Sequence, residues 1–437
     1  MSSKHVGASR WSKAFAALTT VAAASAVAVV AGSGGAGAAT SSDPIVVGGT
    51  TSLADAPGIV QGFEAGILRF NRAGGLDGRK ISFVGVRDDG FSPETDLTDV
   101  QQLVQNDHVM VVAPFWSEVS PAAAGTFLAS NKVPFIGWSS NSAYVAAPTW
   151  GYGFTGSDDN PDVQRSVSMK QLLAAAGDTK SPSKMKIAFI ANDVAVADTS
   201  NAALAGDAKF AGMDVVYQKG AIPVSGTTSY AAYAQALIGS GANVVYEVLG
   251  TPDSVGLAGA LKAAGYKGMI VNGVTYMPGE LASQPNEAAA LDGVYVESEF
   301  LTNQDKTLAV TQEEKDLTSI GTQPDLLKGT SLGYWSAIML EQILKATLAE
   351  VGGDPTKVTG TAIHQMVNKG YVYKDPIAGG IGTVTFPVDE DAPSGCGTLV
   401  KTVGTNFEPV APYQCTNNVN VKEQKAVSPT TGKSLGS

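Results

Sequence analysis

Short apolar runs of strand length alternate with stretches of helical periodicity along most of the chain. Ile45-Val46-Val47-Gly48-Gly49 predicts a first strand. Gly58 to Asn71 predicts a helix whose Ile59, Phe63, Ile67 and Phe70 share one face that must pack on a sheet. The glycine-rich stretch Ala73 to Arg79 ends that helix, Lys80 to Val86 is a second strand, and Glu94 to Asn106 a second helix. The unit that organises the rest is Val109 to Ser142. Val109 to Ala113 is a strand suited to a sheet covered on both faces, and Ser120-Pro121 reads as an N-cap with proline at the first helical position. Ala122 to Ser130 is the helix that follows, and Lys132 to Gly137 a strand opening into Trp138-Ser139-Ser140-Asn141. Alternating strands and helices predict a parallel sheet with right-handed crossovers. In such a sheet small ligands bind at the strand ends, beside helix N-termini that favour anions.

The same arrangement recurs in the second half. Tyr230 to Ile238 is helical, Asn243 to Leu249 a strand, Gly250 to Ser254 a turn, Val255 to Ala264 a helix and Gly268 to Asn272 a further strand. Met185 to Ile190 and Met213 to Gln218 are strands placed before it, separated by Ala191 to Asp198 and a helix. Leu332 to Glu350 and Gly360 to Asn368 are later helices. Two similar units so far apart predict two lobes of like topology that offer their strand ends to a shared cleft.

Composition narrows the class. The 437 residues suffice for two cored domains, and 44% hydrophobic with 16% charged residues is a globular balance. Beyond the first forty-two residues, 26 basic face 40 acidic side chains, which favours neither nucleic acid nor an anionic membrane as partner. Met1 to Ala39 has a basic start, an apolar stretch from Ala14 to Ala31, and small residues suited to cleavage, so it reads as a secretory signal peptide. An uncleaved anchor is the alternative. The leader contains no cysteine for lipid attachment. The only cysteines, Cys396 and Cys415, most simply pair in an exported chain. A hairpin of Thr398 to Val403 and Asn406 to Val410, turning at Gly404-Thr405, would bring them together. Closing such a loop is worth about 3 kcal/mol.

One ordered series of motifs is specific. Asn71-Arg72-Ala73-Gly74-Gly75-Leu76-Asp77-Gly78-Arg79-Lys80, a short strand, Arg87-Asp88-Asp89 and Ser92-Pro93 resemble the N-terminal lobe of the branched-chain amino-acid (Leu/Ile/Val) family of ABC-transporter substrate-binding proteins. The likeness extends from about Ile45 to about Phe386. It implies a type I periplasmic-binding fold of the α/β class, with two Rossmann-like three-layer lobes joined by a three-segment hinge. On this reading residues 43–155 and 297–380 form lobe 1, and residues 156–296 and 381–416 form lobe 2. Phe154 to Asp159, Gly293 to Glu297 and Gly380 to Phe386 would be the crossings. Asn417 to Ser437 is polar and is expected to be a disordered tail.

Several motifs have simpler explanations. Gly329-Thr330-Ser331-Leu332-Gly333 spells a nucleophile elbow, but no strand precedes it, and helix entry capped by Thr330 or Ser331 explains it. Gly151 to Gly156 spells a dinucleotide fingerprint with no helix opening after it. His108 and His364 have no second ligand at metal spacing, so no metal site is expected. Asp88-Asp89 and Asp158-Asp159 are adjacent pairs at turns, suited to capping rather than to acid–base catalysis. Neither a cofactor nor a catalytic residue is expected. Trp116 and Trp138 either plug the core or wall a pocket; their position beside hydroxyls at strand ends favours the pocket.

The expected function is capture of a small solute outside the membrane by a monomer that delivers it to the permease subunits of an ABC importer. The alternatives are a ligand-sensing receptor of the same fold and a secreted serine hydrolase using Ser331. The resemblance places Phe115, Trp116 and Ser117 on the first ligand turn, and Ser139 and Asn141 on the second, with Trp138 as a further wall. Ser117 and Ser139 would hold a carboxylate or carbonyl. On the second lobe, amino-acid-binding members use aromatic and acidic side chains to hold the ammonium group. The matching positions here are Val196 and Gly250 for the aromatics and Gly273 for the acid. Glu247 or Asp193 would have to substitute, with Tyr276 adding a hydroxyl. The expected ligand is therefore a flat or apolar solute with one anionic or amide end, not a free α-amino acid.

Overall fold

The structure, a computed structural model, describes residues 43–428 apart from 118, 139–140, 154–161, 194, 224–225, 273–275, 299–300, 323–328, 378–379 and 388–394. The first sheet is built from β1 (Ile45–Thr51), β2 (Ile81–Asp88), β3 (Val111–Phe115), β4 (Phe135–Gly137) and β5 (Gly151–Gly153), in the order β2-β1-β3-β4-β5 and parallel throughout. Between them run α1 (Ile59–Arg72), α2 (Pro93–Gln105), α3 (Ala122–Ser130) and α4 (Ser142–Ala146). The apolar stripe of α1 behaves as its periodicity predicts, with Ile59, Phe63, Ile67 and Phe70 all buried. Ser120 does not cap α3. The helix starts after Pro121, and the Ser120 hydroxyl turns instead to donate to Asp96 Oδ2 at 2.7 Å.

The chain continues through β6 (Val163–Arg165), α5 (Val167–Ala176), β7 (Lys186–Asn192), α6 (Ala195–Phe210), β8 (Asp214–Ile222), α7 (Ala231–Gly239), β9 (Val244–Val248) and α8 (Thr251–Ala263). After these come β10 (Met269–Asn272), α9 (Pro278–Ser283), α10 (Pro285–Leu291) and β11 (Tyr295–Ser298). Strands β8-β7-β9-β10-β11 repeat the order of the first sheet, each unit's first strand lying between its second and third. The duplication expected from the sequence is therefore present as topology.

The helices α11 (Leu308–Ser319), α12 (Thr330–Glu350) and α13 (Gly360–Val367), followed by the hairpin β12 (Val372–Lys374) and β13 (Thr383–Thr385), pack on the first sheet's core. The cap of α12 is Gly329, with φ +87°, and not Thr330 or Ser331. Helices α1 and α12, far apart in sequence, meet at backbone distance. A Cβ added to Gly62 would stand 1.8 Å from the Thr330 carbonyl oxygen.

The second sheet is completed by β14 (Cys396–Val403) and β15 (Asn406–Cys415), antiparallel to each other, with β14 antiparallel to β11. Cys396 and Cys415 are register partners and form the disulfide. The last elements, β16 (Asn418–Asn420) and β17 (Lys425–Val427), add to β6 as a three-stranded sheet. This corrects the expectation of disorder from Asn417: residues up to 427 fold back on β6, where Ser166 donates to the Asn417 carbonyl at 2.7 Å.

Sheet membership also moves the expected boundaries. Glu297 belongs to β11 of the second sheet, whereas Ile381 and Phe386 are buried in the first sheet's core. Ser298 still belongs to β11 of the second sheet while Leu301 lies in the first core, and Phe386 lies in the first core while Cys396 belongs to the second sheet; the expected crossing Phe154 to Asp159 lies outside the described residues. Among the described residues no helix is long and apolar enough to cross a membrane. The expected leader, residues 1–39, also lies outside them.

Candidate functional site

The strand ends of the first sheet are fixed by a buried polar lattice. Thr50 donates to Asp96 Oδ1 at 2.9 Å and Ser52 to Asp89 Oδ1 at 2.6 Å, and the Asp89 carboxylate also accepts from the Phe91 N–H at 2.8 Å. Asp88 accepts from the Leu53 and Gly90 N–H groups. The Asp88-Asp89 pair is thus spent on turns, as its spacing implied. Burial pushes the Asp96 carboxyl up to about 6 against the hydrogen bonds from Ser120 and Thr50, which lower it. These contacts join the loop after β1, the start of α2 and the loop after β3, so the turn that carries Trp116 and Ser117 rests on a braced platform.

On that platform Trp116 and Trp138 stack, centroids 5.5 Å apart and planes within 10°. Trp116 is buried beneath, and Trp138 is half-buried. Ser117 is fully buried, and its hydroxyl accepts from the Val119 N–H at 3.2 Å. Asn141 caps α4 through the Ala143 N–H and donates to the Ser117 carbonyl at 2.9 Å, so it joins the two turns. Phe115 does not share this site. Alternation along β3 turns its ring to the opposite face of the sheet, where it packs against Phe135 and Tyr144 at 5.0 and 5.6 Å. Ser139 lies outside the described residues.

On the second sheet Gly250 caps α8 and is exposed, its N–H donating to Asn192 Oδ1 at 3.3 Å. A Cβ at Gly250 would meet nothing within 4 Å. Asn192 donates in turn to Asp253 Oδ2 at 2.8 Å, and Tyr230 to Asp253 Oδ1 at 2.7 Å. Asp193 beside it is exposed. Glu247 is corrected as a cleft residue: it is buried under α8, where Asn272 donates to it at 3.4 Å and Asn272 also meets Ser254. Burial pushes its carboxyl up to about 8, with Ser254, Asn272 and Lys262 only partly offsetting this. Burial thus favours its neutral form, which cannot balance an ammonium charge. Val196 sits in the first turn of α6, its side chain outside the described set, and Gly273 is likewise outside it.

Tyr276 joins the halves. Its ring packs against both main cores and lies 4.8 Å from that of Phe407, and its hydroxyl donates to Gln304 Oε1 at 2.8 Å while accepting from the Asn303 N–H at 2.9 Å. The structure thus brings Trp116, Trp138, Ser117 and Asn141 together at the strand ends of the first sheet, and places Asp193 and Gly250 at the strand ends of the second. Asn192, Asp253, Ser52 and Asp96 were not singled out in the sequence because isolated polar residues at strand ends and in the first turns of helices carry no periodic signal.

The sequence profile of the family described as "Periplasmic binding protein" matches residues 45–402. Among solved structures, the solute-binding protein of an ABC transporter from R. palustris in complex with 4-hydroxybenzoate is 18% identical. It covers 86% of this chain and 97% of its own, with a TM-score of 0.64. A fatty acid ABC transporter substrate-binding protein from Thermomonospora curvata is 18% identical over 89% and 96%, with a TM-score of 0.69. The branched-chain amino acid transporter protein LivJ from Streptococcus pneumoniae, in complex with isoleucine, is 14% identical over 85% and 100%, with a TM-score of 0.66. No curated protein sequence matches the chain.

Proposed function

Since the chain belongs to the periplasmic binding protein family, we propose that it is the extracytoplasmic, non-catalytic solute-capture subunit of an ABC importer. Its ligand is then a flat or apolar solute with one anionic or amide end. The narrower Leu/Ile/Val grouping rests on the motifs alone, since solved structures of similar likeness include a 4-hydroxybenzoate complex, a fatty acid ABC transporter protein and an isoleucine complex. The observation that carries the ligand class is the second-sheet side of the cleft. Gly250 leaves open space where an amino-acid binder is expected to hold an aromatic ring, and Glu247 is buried, which favours its neutral form over a counter-charge. A buried ammonium without such partners is costly.

On the other side, the Trp116–Trp138 stack offers a planar wall. The half-buried Trp138 is the part of that wall a solute can reach, and the buried Ser117 and Asn141 hold the turns beneath it. Binding on the first sheet, with the second closing over the solute, would be stabilised by contacts made only when closed. A thermal-shift screen tests the reading: saturation at a hundred times Kd adds about 2.7 kcal/mol of stability. Aromatic acids or amides should raise the melting point. A shift at micromolar leucine, isoleucine or valine, with none from aromatic acids and amides, would overturn the ligand class.

A further inference from the structure

The segment that re-enters the first core after residue 300 is held from two directions, and one side chain does most of the holding. Asp305 Oδ2 accepts from the Thr302 N–H at 2.6 Å and the Thr302 hydroxyl at 3.0 Å, a reciprocal cap on the single helical turn 303–305. Its other oxygen, Oδ1, accepts from the Tyr413 N–H of β15 at 3.0 Å, with the Thr398 hydroxyl of β14 at 3.5 Å. Within that turn, Asn303 and Gln304 are the two residues that bind the Tyr276 hydroxyl. Tyr413 adds a further link, donating from its hydroxyl to the Ile381 carbonyl at 3.1 Å, while Leu301 is buried in the first core. The disulfide-closed hairpin, the re-entering turn and Tyr276 thus form one continuous hydrogen-bonded path.

We propose that Asp305 is a positioning residue of the cleft: by clamping the turn to the hairpin, it sets where Asn303 and Gln304 hold Tyr276, and so the depth of the cleft beside the second sheet. Tyr276 then acts as a wall tied to the inter-sheet connection, not as a free hydroxyl reaching for solute. The consequence for binding rests on the solute-capture reading above; the mechanical link does not. An asparagine at 305 has one acceptor oxygen, so it cannot serve both the Thr302 and the Tyr413 N–H groups. Tyr276→Phe keeps the ring against Phe407 and removes only the hydroxyl.

Amide hydrogen exchange on the ligand-free full chain decides the link. Asp305→Asn should speed exchange of the Asn303 amide about tenfold, Tyr276→Phe should do the same, and the double variant should add little more. If Asp305→Asn speeds only Thr302 and Tyr413 and leaves Asn303 protected, or if the two effects add fully, Asp305 is merely a local cap and the proposal is overturned. Tyr276→Phe alone also decides if Asp305→Asn does not fold: an unchanged Asn303 amide removes the path. Titration with benzoate and 4-hydroxybenzoate, read by tryptophan fluorescence, forms the second arm. Wild type should bind and both variants should bind about fivefold or more weakly. Equal affinity in variants and wild type would overturn the positioning role. Absence of wild-type binding would count against the solute-capture reading's ligand class, while the exchange arm still decides the link.

Discussion

Burial under α8, where β9 turns it away from water, favours the protonated form of Glu247, and one such carboxyl makes stability depend on pH. Its pKa rises from 4.5 to about 8 on folding. The unfolded chain releases the proton near 4.5 while the folded one keeps it, so the contribution is fully present below 4.5 and is lost as pH climbs toward 8. Glu247→Gln keeps the shape and removes that penalty. It should raise stability at pH 8 by on the order of a few kcal/mol and have little effect at pH 4. Denaturant unfolding at the two pH values checks this; equal effects at both would show that Glu247 is ionised in the fold. The residue type was legible in the sequence, but its protonation was not, because desolvation depends on what lies above the strand. The same holds for Phe115 and Trp116: adjacent letters, opposite faces of one sheet.

Among the elements, the α1–α12 pair shows how tightly segments some 270 residues apart fit. In an exposed helix Gly→Ala gains about 1 kcal/mol. At Gly62 the new methyl would meet the Thr330 carbonyl at 1.8 Å, and overpacking of this kind costs about 1–3 kcal/mol, so the clash wins. Gly62→Ala should therefore lower the melting point, whereas Gly239→Ala, at the end of α7 with open space around it, should leave it unchanged or raise it. Thermal unfolding of the two variants separates close packing from helix propensity. The hairpin β14–β15 makes the second element prediction. Replacing both Cys396 and Cys415 by serine should cost about 3 kcal/mol, the loop-closure contribution. Mass spectrometry of a non-reduced digest should show the two peptides joined in the wild-type protein.

For the whole molecule, the repeated strand order β2-β1-β3-β4-β5 and β8-β7-β9-β10-β11 gives two sheets whose strand ends carry the candidate site. If the sheets close on a solute, small-angle scattering should show a monomer whose radius of gyration falls when a solute found by the thermal screen is added. An unchanged radius at saturation would argue for a preformed pocket and against closure. The tail bears on the same motion, because β16 pairs with β6 and β17 pairs with the other edge of β16. Its polarity concealed this. A short strand can be held by backbone bonds to a neighbour, with Asn418, Val419 and Val427 its buried residues.

The sequence by itself determined the α/β class, the two repeated units, the apolar face of α1, the cysteine hairpin and the turn motifs that resemble a substrate-binding protein. Each is local: a period, a spacing or a turn residue acts within a few positions of itself. Only the tertiary structure decided which sheet each late segment joins, that Ser120 braces Asp96 instead of capping α3, and that residues 417–427 are ordered. It also decided that Phe115 and Glu247 are buried away from the solute and that Tyr276 is bound to the turn 303–305. Those outcomes depend on partners tens to hundreds of residues distant, whose competition for the same hydroxyl, carboxyl or ring is settled only when the sheets have packed.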